Sequence, residues 1–135
     1  MSPKPFHYMK KLLTLFLVTA ALSFTAHSQE KKAEWKEMSE FHTVMSETFH
    51  PAEEGKLGPI RSRSAEMVTK ASAWKASDAP VGYNKKAVRT QLKKLVKGSK
   101  EINRLVAENA ADNVITEKLS ALHDVFHEIM EKSKM

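Results

Sequence analysis

The sequence predicts an all-α protein, an up-down-up-down antiparallel four-helix bundle. Three observations carry this. Apolar residues recur three or four positions apart through most of residues 30–129. The alternating β-branched runs and hairpin dipeptides that announce strands are missing. The breaks between periodic segments are short and rich in turn residues, which suits antiparallel neighbours.

The first helix is expected from about Glu30 to Phe49, with Trp35, Met38, Phe41, Met45 and Phe49 on its apolar face. Pro51 disfavours a helical His50 and is expected to close it. After the loop AEEGKLG, Pro59 sits where a helix begins, and the second helix presents Ile60, Met67, Ala71 and Trp74. The segment SDAPVGYN is turn chemistry. The third helix is expected from about Lys85 to Ala107, with Val88, Leu92, Leu95, Ile102 and Val106 facing inward. Gly98 interrupts it, marking a close helix approach, a kink or neither. Asp112 or Asn113 is the expected N-cap of the fourth helix, which carries Ile115, Leu119, Leu122, Phe126 and Ile129.

Residues 1–28 have the three parts of a cleavable secretory signal peptide. Lys10 and Lys11 form the positive region, Leu12 to Phe24 the apolar run, and Ala26 and Ser28 the small residues before a cut at Gln29. Met9 begins a complete signal of its own, so the true start is Met1 or Met9. The apolar run is shorter than the roughly 18–20 residues of a membrane span, so no stable anchor is expected after cleavage. The expected address is the periplasm or the cell exterior, with residues 29–135 as one domain. All 16 acids lie in that domain, against 19 of the 22 lysines and arginines, which brings its net charge to +3. A mildly basic exported domain is not expected to meet nucleic acid. The chain has no cysteine, so it is held by apolar packing alone or by packing plus a bound metal or cofactor.

Residues 29–135 contain four histidines, His42, His50, His123 and His127, all on the expected first and last helices. In an up-down-up-down bundle these two helices are neighbours, and residues whose numbers add to about 165 are expected to lie level to within about one turn. His42 then faces His123, Met38 faces His127, and His50 lies roughly 12 Å away near Ile115. His123 and His127 are an i, i+4 pair able to hold one ion. The expected ligands of a zinc or copper ion are therefore His42, His123 and His127, with His50 as a further one; Glu37, Glu40, Asp124 and Glu128 are near enough in height to assist. A nearby Met38 thioether would favour reduced copper.

The string LHDVFHEI carries a resemblance. His123, Asp124 and Phe126 look like the end of the haem-attachment motif in cytochromes c-prime, which are exported four-helix bundles. Leu119 and Leu122 stand at the two cysteine places, so covalent attachment is ruled out. The chain also resembles periplasmic b-type bundle cytochromes, which hold haem through a methionine of the first helix and a histidine of the last. That resemblance implies haem b as an alternative cofactor, with His123 as one axial ligand and Met38, His42 or Met45 opposite.

Two further stretches stand out. In FHPAEEGKLGPIRSRS, Glu53 or Glu54 is expected to pair with Arg61 or Arg63 and fix the loop, or else to form a second site with His50. The third helix carries Lys85, Lys86, Arg89, Lys93, Lys94, Lys97, Lys100 and Arg104 away from its apolar stripe, either as a solvated face or as a docking surface for an acidic protein partner or anionic headgroups. Neither a nucleophile elbow nor an H-E-x-x-H motif is present, and a non-enzymatic protein is expected. Three functions stay open: a metal-binding bundle, a b-type haem bundle for electron transfer or gas binding, and a structural or partner-binding bundle without cofactor. Monomer and homodimer both fit.

Overall fold

A computed structural model describes residues 33–135. The expected signal peptide, residues 1–28, and its expected cleavage before Gln29 lie outside the described residues. Four α-helices make up most of the rest: α1 Lys36–Glu53, α2 Gly58–Ala76, α3 Arg89–Ala107 and α4 Asp112–Lys132. A 3-10 turn, Lys86–Val88, leads into α3. Among the described residues there is no strand; one isolated bridge, Tyr83 to Lys134, ties the α2–α3 loop to the end of the chain.

The first helix begins and ends later than its sequence suggests. Ala33–Trp35 are not helical. Trp35, expected inside the helix, stands just before it in an extended conformation and is fully buried. Its indole N–H donates to Ser77 Oγ at 2.8 Å, so the ring enters the core from outside the helical repeat. At the other end the helix runs through Pro51 to Glu53. Proline lacks the N–H that would bond the Glu47 carbonyl, and one missing ladder bond is tolerated in a final turn whose Ala52 is buried. The stop is Gly55, which takes the left-handed conformation at φ 79°. The Lys56 N–H donates to the Pro51 carbonyl at 2.9 Å and the Gly55 N–H to Ala52 at 3.0 Å, a complete Schellman cap.

The same cap ends α3. Asn109 has φ 54°, with the Ala110 N–H donating to Leu105 at 2.9 Å and the Asn109 N–H to Val106 at 3.0 Å. Pro59 lies in the first turn of α2, as expected. The N-cap of α4 is Ala111 rather than Asp112 or Asn113, and no side chain caps it. Asp112 instead accepts from Arg61 of α2 at 2.7 Å and places its negative charge in the first turn of the helix.

Packing follows chain order: α1 lies on α2, α2 on α3, α3 on α4, and α4 on α1. The cross-helix partners are specific. Glu40 pairs with Lys70, and Glu47 with Arg63. Ser64 donates to Asn103 Oδ1 at 2.9 Å. Glu101 pairs with Lys118, and Gln91 reaches Glu128. Gly98 marks a close approach: a Cβ there would lie 2.7 Å from Leu122 Cδ1. All five apolar residues read for α4 are buried, as are the four read for α2. An aromatic cluster holds the interior, with Trp74 edge-on to Trp35 at 5.9 Å and in contact with Phe41 at 5.8 Å and Phe126 at 6.0 Å. Residues Ala33–Met135 form one compact unit. None of the described helices is long and apolar enough to cross a membrane.

The loop pairs differ from expectation. Glu53 contacts His50 within the last turns of α1, and Glu54 contacts Lys56 in the loop. Arg61 donates to the Ala110 carbonyl as well as to Asp112, both at 2.7 Å. Arg63 pairs with Glu47 and Glu66. The arginines lie on α2, where helical neighbours and the adjacent helices offer carboxylates nearer than the loop.

Candidate histidine site between the first and last helices

Four histidines and two phenylalanines form a continuous row of rings along the α1–α4 seam. His50 lies 5.8 Å from Phe49, Phe49 lies 4.0 Å from His123, and His123 lies 4.4 Å from His127. His127 lies 5.7 Å from Phe126, and Phe126 lies 5.1 Å from His42. Both phenylalanines are buried apolar positions of their helices. The histidines border them at the seam, His123 half-buried and the other three exposed.

This register differs from the expected one. His123 meets Phe49, and His42 meets Phe126 rather than His123. The two helices are slid against the expected alignment by about half a turn at Phe41 and Phe126 and by about two turns at Phe49 and His123. The level at which α1 and α4 pair is set by their interlocking rings, Phe41 against Phe126 and Phe49 under His123. His50, expected near Ile115 and far from the other histidines, is instead beside the ring that carries His123.

His123 and His127 come together as their i, i+4 spacing requires. Their Nε2 atoms are 3.1 Å apart and their planes stand 79° from each other. The His123 ring lies nearly flat on Phe49, 16° from parallel, which fixes its tilt. Burial pushes the His123 imidazole below the ordinary histidine range, and the neighbouring His127 pushes it further; Asp124 and Glu53 oppose this weakly. A neutral imidazole with a free nitrogen lone pair is the form that binds a metal. Two nitrogens 3.1 Å apart can each lie about 2.0–2.1 Å from one ion, subtending an angle of about 100° there. That angle suits a tetrahedral centre and not a linear one.

Among the described residues no three histidines or carboxylates are gathered as a ready metal-binding group. The structure brings His123 and His127 together, leaves His42 on Phe126, and leaves His50 with its Nδ1 3.4 Å from Glu53. A surface groove of about 720 Å³ shares Glu53 and Asp124, the two carboxylates that act on His123, without being lined by His123 itself. Glu53, Asp112, Glu117 and Asp124 line it, and no lysine or arginine does. The sequence reading missed this groove, because its carboxylates come from the end of α1 and from three turns of α4.

The residues do not fit haem. Met38 and Met45 are buried in the core, 9% and 1% exposed, whereas the His123 Nε2 faces His127 on its own helix. Phe41, Trp74 and Phe126 are in mutual contact where a macrocycle between the helices would need room. No protein-family model, curated protein or solved structure matches the chain.

Proposed function

We propose that this protein is an exported, non-enzymatic binding protein that holds a transition metal ion, zinc or copper, on His123 and His127. The observation that carries this reading is the 3.1 Å separation of the two Nε2 atoms on one helix face. The neighbouring acidic groove adds a negative field that raises the local concentration of cations. His50 and Asp124 are the side chains best placed to complete the coordination, and water fills any remaining position. His42, across Phe126, is a more distant contributor. The frame is an up-down-up-down antiparallel bundle. The order of its cross-helix partners supports this, since later residues of α1 pair with earlier ones of α2 and α4.

Metal titration tests the proposal. Wild type is expected to bind one zinc or copper ion and to gain thermal stability, by about 2.7 kcal/mol when the free ion is a hundredfold above its Kd. His127→Ala should abolish the gain, and His50→Ala should weaken it. A wild type that neither binds stoichiometric metal nor gains stability would sink the idea.

A further inference from the structure

Helix α3 presents a second feature, independent of the histidines. Arg89, Lys93, Lys97, Lys100 and Arg104 are all exposed, and at 3.6 residues per turn they fall within an arc of about 80°. They extend along roughly 22 Å of helix. Among the described residues only Arg104 of these is in an ion pair, with Glu108. The other acid of α3, Glu101, is held by Lys118 on α4. The stripe is therefore a nearly uncompensated line of positive charge. Where it starts, the turn Pro80–Tyr83 projects Val81, which is 92% exposed. Gly82 takes φ 94° and the Tyr83 N–H donates to the Pro80 carbonyl at 3.2 Å, a type II turn with Val81 at its corner. Exposed Lys86 follows the turn.

We propose that this face of α3, with the Val81 turn, docks on an anionic lipid surface. The stripe is long, straight and convex, and no apolar residue breaks the run of cations within its arc. A protein partner gains most of its affinity from a buried anchor in a pocket; the hollow at the edge of this face, about 250 Å³ and lined by Ser72, Lys75, Ala76, Val96 and Lys100, meets the stripe at Lys100 alone. A charged lipid layer needs no pocket. It rewards the number of cations brought near it, about fivefold in binding for each. An apolar side chain at one end of the stripe then enters the headgroup region.

Cosedimentation with vesicles tests this. Purified protein is mixed with phosphatidylcholine vesicles and with vesicles in which phosphatidylglycerol replaces a third of the lipid. Binding is expected to be much stronger to the anionic vesicles and to fall as salt is raised, because screening shortens to about 3 Å at 1 M. Replacing Arg89, Lys93, Lys97 and Lys100 together by glutamine keeps helix propensity and should weaken binding on the order of several hundredfold. Val81→Asp should cause a smaller loss. A control with Lys36, Lys56, Lys70 and Lys118 changed to glutamine carries the same net charge and should keep most of the binding. Every variant is tested both with and without residues 1–28, so any affinity of that expected signal segment is read separately, and circular dichroism checks that each is folded. Equal binding to both vesicle types would overturn the proposal. So would equal losses in the two quadruple variants, or binding to polyglutamate without binding to vesicles, the last pointing to an acidic protein instead.

Discussion

The His123 imidazole lies 4.0 Å from the Phe49 ring, with the two planes 16° from parallel. This contact joins the last helix to the first and sets the direction of the only close histidine pair among the described residues. Phe49 is thus both a core residue and the seat of the candidate site. Phe49→Ala should destabilise the fold by about 3 kcal/mol, at the lower end for a buried phenylalanine because its rim reaches the surface. It should also weaken zinc binding, since His123 loses its support. Phe49→Leu should restore most of the stability without restoring the flat seat. Urea unfolding and metal titration on the same samples separate the two effects.

Stability should fall as the solution is acidified through the histidine range. His123 has a folded-state pKa below its unfolded value of about 6.5, so the unfolded chain binds the extra proton first. The stabilisation of the neutral form is fully present above about pH 6.5 and is lost as pH falls through the folded pKa. The groups acting on His123 are His50 and Glu53 from α1, and His127 and Asp124 from α4. Urea midpoints measured from pH 7.5 downward should decline for wild type. His123→Leu should flatten the profile; a decline as steep as that of wild type would count against this assignment.

Gly98 and Leu122 should be coupled. Alanine at position 98 gains about 1 kcal/mol in helix propensity but meets Leu122 Cδ1 at 2.7 Å, and overpacking costs about 1–3 kcal/mol. Gly98→Ala alone should be neutral to destabilising. In a Leu122→Ala background the obstacle is gone, and the same change should stabilise by about 1 kcal/mol. A double-mutant cycle from chemical denaturation reads the sign reversal directly.

The two left-handed caps should respond in opposite directions. Gly55→Ala places a Cβ at φ 79° and should cost about 1 kcal/mol. Asn109→Gly relieves the same strain at φ 54° and should stabilise by a few tenths of a kcal/mol up to about 1. Thermal midpoints of the two single variants suffice.

Much of the fold was legible because burial follows helical period. The inward residues of α2 and α4 could be read directly, and both Pro59 and the SDAPVGYN turn stand where their chemistry placed them. The first helix was less legible. Pro51 looked like its end, yet a final turn tolerates the missing N–H, and the stronger signal was Gly55 four residues on. Trp35 matched the apolar spacing but serves the core from an extended segment, a choice made by Ser77 and Tyr83 far along the chain. The α1–α4 register follows instead from rings that interlock across the seam, Phe41 against Phe126 and Phe49 under His123, and these give His42 and His123 their partners. The i, i+4 histidine pair survived because its geometry is local to one helix. The ion partners of Arg61 and Arg63 were not legible, since a surface arginine takes whichever carboxylate the packing brings closest.

The chain has only two tryptophans, Trp35 and Trp74, and they meet edge to face at 5.9 Å with neither ring reaching solvent. One precedes the first helix and the other ends the second. Their shared optical signal, blue-shifted emission and a strong near-ultraviolet dichroism, therefore reports a single event: the arrival of the segment before Lys36 on the rest of the domain. An intrinsic probe of that docking is built into the native chain, and it needs no label.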